Sequence, residues 1–181
     1  MKRLTAHILL VFLGTALTLN PCFADRANDH FNTGYSRHQA GDLKEAINQY
    51  SQAIEVNPGF VMAYQMRAAA WQKLRQFSKA ISDYSMVISL GEPHFQAVGY
   101  LNRGIVKNMT GDYFGAIPDF SQAIIIDRKM AAAYFHRGIA RNKTGDVMGN
   151  YEDFRQAARM GDLDAEKWLD KHYPGWQRLN S

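Results

Sequence analysis

The sequence predicts an all-α chain, an α-solenoid of four helical hairpins stacked in register and closed by a C-terminal capping helix. Three observations carry this. Counted from Ala27, Val61, Ala97 and Ala131, one pattern recurs at intervals of 34, 36 and 34 residues. A period of this length marks stacked units rather than one globular core. Inside a unit, two runs of apolar and small residues at helical spacing flank a break, written Gly41-Asp42, Gly111-Asp112 and Gly145-Asp146 in three copies. The second run then carries Ala, aromatic, Ala on one helical face, as in Ala46, Tyr50, Ala53 and in Ala116, Phe120, Ala123.

The elements follow in chain order. Residues 1–24 read as a secretory signal: Lys2-Arg3, then an apolar run from Ile8 to Leu19, then Cys22-Phe23-Ala24 with cleavage expected after Ala24. The run is short for a membrane span, which takes roughly 20 apolar residues. An uncleaved anchor is the alternative, and with it membrane attachment. The units occupy 27–60, 61–96, 97–130 and 131–162. The two extra residues of the second unit fall in Gly91-Glu92-Pro93-His94, read as a turn where insertion is cheap. Unit one has His30 and Thr33 where large residues are usual, so its first helix is expected to be the loosest. Unit two has Arg75 in place of the turn Gly and Val87 in place of Ala. Unit four has Asn150 for the small Ala, which should splay that hairpin slightly. Residues 163–172 read as the cap, with Asp162 at its N-cap and Ala165, Trp168 and Leu169 sharing a face. The tail is 173–181, whose Trp176 and Leu179 either dock on the cap or hang free.

Two charges also keep time with the period. Arg67, Arg103 and Arg137 hold one position in units two to four, and Asp83, Asp119 and Asp153 hold another. Unit one has Thr33 and Gln49 instead, so both charges vanish together. The expectation is an Arg–Asp pair joining the helices of a hairpin or neighbouring hairpins, setting register more than adding net stability.

Taken together, residues 27 to about 162 resemble the tetratricopeptide-repeat family. The motif is degenerate in one copy and specific when it recurs four times. The resemblance implies a right-handed superhelix whose first helices line a concave groove. Carried onto this chain, the groove positions include Phe31, Tyr35, Met62, Gln65, Lys73, Leu101, Ile105, Asn108, Met109, Phe135, Ile139, Asn142 and Lys143. Their apolar members exceed what a solitary monomer needs to expose, although the same positions also suit packing between adjacent first helices. The family's clamp for chaperone C-termini needs Lys and Asn where this chain has Phe31 and Tyr35, so that activity is not implied. What is implied is a non-catalytic adaptor of the bacterial cell envelope, periplasmic or secreted, holding a peptide or helix of a protein partner. The alternative is a homo-oligomeric scaffold using the same groove, with the Trp176 tail as its ligand.

Other chemistry has little footing. Cleavage after Ala24 removes the only Cys, and with it disulfides, a thiol nucleophile and Cys-based metal sites. It also leaves 19 Lys and Arg against 17 Asp and Glu, interspersed, which is no footprint for nucleic acid. His30 and His38 lie two helical turns apart, too far to share a metal, and no phosphate loop or nucleophile motif occurs. No cofactor, metal, small-molecule substrate or enzymatic activity is expected.

Overall fold

The computed structural model describes residues 21–177, with side chains from Asp25 onward. The apolar core of the expected signal and Leu179 lie outside these residues. Nine helices are described: α1 (Pro21–Gln39), α2 (Leu43–Val56), α3 (Val61–Lys73), α4 (Phe77–Leu90), α5 (Pro93–Met109), α6 (Tyr113–Ile126), α7 (Ala131–Thr144), α8 (Val147–Arg159) and α9 (Leu163–His172). No strand is present among the described residues. Each helix packs on the next, giving the four hairpins α1–α2, α3–α4, α5–α6 and α7–α8 with α9 against α8. The fold is the all-α solenoid read from the period. Helix α1 starts at Pro21, so the expected cleavage point lies within it.

The Gly-Asp pairs have a two-part logic. Gly41, Gly111 and Gly145 take φ of 82°, 83° and 85°, the left-handed geometry that ends the first helix. The Asp that follows caps the second helix, accepting from Glu45 N at 3.2 Å, Gly115 N at 2.9 Å and Gly149 N at 2.9 Å. Repeat two breaks both rules. Arg75 is forced to φ 58°, and Gln76 caps α4 with no side-chain bond. The extra residues of this repeat do not form a longer turn. Pro93 and His94 lie in the first turn of α5, which reaches 17 residues against 13 in α3 and 14 in α7. Proline at the first helical position presets φ for that extension.

Aromatic side chains fill the space left by small residues. A Cβ placed on Gly104 would meet Phe120 at 2.7 Å, and one on Gly34 would meet Tyr50 at 2.9 Å. A Cβ on Gly138 would meet Phe154 at 3.2 Å, a less tight approach. Asn150 is fully buried, and its Nδ2 donates to the Gly138 carbonyl at 2.9 Å.

The expected Arg–Asp pairs form within the hairpins and extend beyond them. Arg67, Arg103 and Arg137 each grip the Asp of their own hairpin through Nε and Nη2, at 2.7–2.9 Å. The third nitrogen, Nη1, donates to Ser51, Ser85 and Ser121 of the preceding hairpin, at 2.9, 3.0 and 3.1 Å. Those serines in turn donate to the carbonyls of Ile47, Ile81 and Ile117. One planar guanidinium thus ties two helices of its hairpin to the last helix of the previous one. The serine occurs only where an Arg-bearing repeat follows; repeat four has Arg155 there.

The cap also forms as read. Asp162 accepts from Asp164 N and Ala165 N, and Ala165 and Leu169 are buried against Phe154 and Ala157. Trp176 is 6% exposed and its Nε1 donates to Asp170 Oδ1 at 2.9 Å. The tail residue therefore docks within its own chain, which removes it as a free ligand for another copy.

Candidate functional site

First helices approach one another along the stack: α1 touches α3, α3 touches α5, and α5 touches α7. Second helices make no comparable contact among the described residues. The stack therefore bends toward the first helices, and their outer stripe forms its inner wall.

The expected wall residues divide into two groups. Tyr35, Met62 and Met109 are exposed at 45%, 45% and 51%, and Lys73, Asn142 and Lys143 are exposed with them. Phe31, Gln65, Leu101, Ile105, Asn108, Phe135 and Ile139 are half-buried. Phe31 rests on Phe60 and Tyr50, with ring centroids 5.1 and 5.8 Å away. Phe135 lies 5.5 Å from Phe154, and Leu101 and Ile105 pack on the Phe120 cluster. Asn108 donates from Nδ2 to the His136 carbonyl at 3.2 Å, so its amide already serves the next repeat.

Between α3 and α5 the wall opens into a cleft of about 570 Å³, lined by Gln65, Met66, Ala69, Gln72, Lys73, Arg75, Tyr84, Asn102 and Met109. Two cations and three amides line it, and no carboxylate. Gln72 is fixed from both sides: it accepts from Tyr84 Oη at 3.1 Å and donates to Met109 Sδ at 3.4 Å. Gln65 and Asn102 have no hydrogen bond of their own side chains among the described residues, and Lys73 has no ion pair there. Met66, Asn102 and Tyr84 went unread in the sequence. Met66 and Asn102 share one repeat position, next to the ones taken as groove, and that position looks toward the seam between neighbouring first helices.

Repeat one is electrostatically different. His38 is 8% exposed, and burial, helped by Lys73, lowers its pKa below the ordinary 6.5. Tyr50 is fully buried and pushed up to about 12, by burial first and Tyr35 second. Neither His38 Nδ1 nor Tyr50 Oη has a hydrogen-bond partner among the described residues. In repeat two the same pair of positions holds Gln72 and Tyr84, which bond to each other. His136, stacked on Phe120 at 5.9 Å, is likewise lowered by burial.

Among the described residues no three His, Cys, Asp or Glu side chains are placed to hold a metal, and no helix is long and apolar enough to cross a membrane. The arrangement offers apolar contact, amide hydrogen bonding and positive charge along an open face.

Comparison with known proteins agrees with this geometry. No family model matches the chain. Serine/threonine-protein phosphatase 5 of Mus musculus is 30% identical over 99 residues, 55% of this chain and 18% of that protein. Small glutamine-rich tetratricopeptide repeat-containing protein 2 of Saccharomyces cerevisiae is 31% identical over 86 residues, 48% of this chain and 24% of that protein. Hsp70-Hsp90 organizing protein 3 of Arabidopsis thaliana is 30% identical over 110 residues, 61% of this chain and 19% of that protein. The chain thus spans about a fifth of the length of these curated relatives. Among solved structures, MamA superposes with a TM-score of 0.70 at 20% identity, over 77% of this chain and 81% of that one. MamA from Desulfovibrio magneticus RS-1 gives 0.65 at 17%, over 80% and 77%. At these identities the likeness to MamA is one of fold.

Proposed function

Since the chain is a tetratricopeptide-repeat protein, in its fourfold motif and in its stacked hairpins, we propose that it is a non-catalytic adaptor that holds a peptide or helix of a protein partner along its first-helix wall. One observation carries the reading. Tyr35, Met62 and Met109 stand exposed on consecutive first helices beside an amide-lined cleft. Burying one such side chain on a partner contributes roughly 1.5–3 kcal/mol before association costs. Methionines suit a face that adapts to its ligand. Protein binding is the role its curated relatives suggest. The setting we favour is the bacterial envelope, on the strength of the N-terminal basic start and apolar run.

The test is capture from an envelope fraction with wild type and with a Tyr35→Asp, Met62→Asp, Met109→Asp variant. Helical circular dichroism should be unchanged and capture lost; undiminished capture removes the wall from the proposal. Phe31, Leu101 and Phe135 are unsuitable for this experiment because they pack against core clusters. Light scattering that shows a concentration-dependent dimer lost in the same variant would replace the adaptor with a self-associating scaffold.

A further inference from the structure

Repeat two departs from its neighbours at three positions, and all three meet at one corner. The position held by Arg37, Lys107 and Arg141 in the other repeats is Trp71 here, the turn Gly is Arg75, and the capping Asp is Gln76. In repeats three and four the cation closes the corner. Lys107 Nζ reaches Asp119 at 2.8 Å and the Gly115 carbonyl at 3.1 Å; Arg141 Nη1 reaches Asp153 at 2.9 Å and the Gly149 carbonyl at 3.2 Å. The neutral indole of Trp71 makes neither bond among the described residues. Trp71 instead packs beside the Ala68, Ala80, Tyr84 and Val106 cluster and takes Lys79 Nζ over its ring at 4.3 Å. A cleft of about 490 Å³ opens there, lined by Lys44, Ile47, Trp71, Leu74, Gln76 and Lys79. That volume lies within the range of ligand pockets.

The charge of this cleft is one-sided. Lys44 and Lys79 have no carboxylate within ion-pair reach among the described residues, and no acidic residue lines the space. Glu45, next to Lys44 in sequence, has its carboxylate on the amides of Asn48 and Gln49, at 3.4 and 2.8 Å. Gln76 removes the negative charge that Asp42, Asp112 and Asp146 place at the other turns. Positions where a repeat breaks its own rule are where function is expected.

We propose that this cleft, at the turn edge between α2 and the α3–α4 hairpin, docks a peptide segment of a partner in which an apolar side chain is flanked by acidic residues. The apolar side chain rests on Trp71, Leu74 and Ile47, a floor of the kind that anchors interfaces. The flanking carboxylates meet Lys44 and Lys79. The site is separate from the first-helix wall and does not depend on it.

The experiment follows the Trp71 indole N–H resonance of the 15N-labelled protein. The probes are acetyl-Asp-Leu-Glu-amide, its neutral counterpart acetyl-Asn-Leu-Gln-amide, acetyl-Lys-Leu-Lys-amide, and sodium acetate. A saturable shift with the acidic peptide, at least about tenfold weaker with the neutral one, is the expected result. Two further variants guard against misfolding. Gln76→Asp restores a helix cap and should stabilise the fold while weakening the acidic peptide by a similar factor. Trp71→Lys restores the cation of the other repeats and should close the cleft to the peptide, followed there by the backbone amides of Leu74 and Lys79. Tyr35→Asp on the first-helix wall should leave binding unchanged. The proposal is overturned by no shift with the acidic peptide, by equal shifts with the neutral or basic peptide or with acetate alone, or by undiminished binding in Gln76→Asp.

Discussion

At the scale of single residues, Asp119 makes the sharpest prediction. Its buried carboxylate meets both Arg103 and Lys107, and that hydrogen bond, ahead of the opposing effect of burial, raises the Arg103 pKa. Asp119→Ala strands two half-buried cations and should cost about 3–5 kcal/mol in urea melts. Ser85→Ala removes only the third contact of Arg103 and should cost about 1 kcal/mol. His38, which is buried, and His136, which is half-buried, set a pH dependence. His38 and His136 are both lowered below 6.5 in the fold, so as pH falls through that value the unfolded chain takes up protons first. Stability should therefore be flat above about pH 7 and decline from about 6.5 downward. A His38→Gln, His136→Phe variant should show a flatter profile between pH 7.5 and 5.5. His38→Gln also gives Tyr50 the partner that Tyr84 has, and should not destabilise at neutral pH.

Among elements, the turn of repeat two is the weakest hairpin joint, since it lacks both the glycine and the capping carboxylate of the others. Arg75→Gly releases a left-handed non-glycine residue and should add about 0.5–1 kcal/mol. It also gives up the stacking of Arg75 over Phe77 at 5.6 Å, which keeps the gain modest. Helix contacts rank by their tightness. Gly104→Ala drives a methyl to 2.7 Å from Phe120 and should cost about 1–3 kcal/mol. Gly138→Ala, at 3.2 Å from Phe154, should cost less. Thermal melts of the pair, read against wild type, give the order directly.

Across the described residues, each hairpin packs chiefly on its neighbours, so stability is close to a sum of hairpin and interface contributions. The Arg–Asp–Ser ties run across all three interfaces between hairpins, while the cap closes only the C-terminal end. Deleting residues 163–181 uncovers Phe154 and Ala157. Hydrogen exchange should then speed first in α7 and α8 and leave α3 to α5 protected; uniform acceleration would mean the stack unfolds as one unit.

The sequence by itself determined the hairpin count, the helix boundaries near each Gly-Asp pair, the N-cap at Asp162 and the Arg–Asp pairing. All of these are local or periodic: a helix face, a left-handed turn, a capping carboxylate, or two charges that come and go together. Only the tertiary structure decided which wall residues stay open. Tyr35, Ile105 and Ile139 hold one repeat position, yet Tyr35 stands exposed while Ile105 and Ile139 pack on clusters whose members lie in other elements. The serine in each Arg tie and the cleft beneath Trp71 were likewise set by contacts between repeats. A period shows that units stack, but how closely two units approach depends on side-chain volumes summed across their interface, and no single repeat contains that sum.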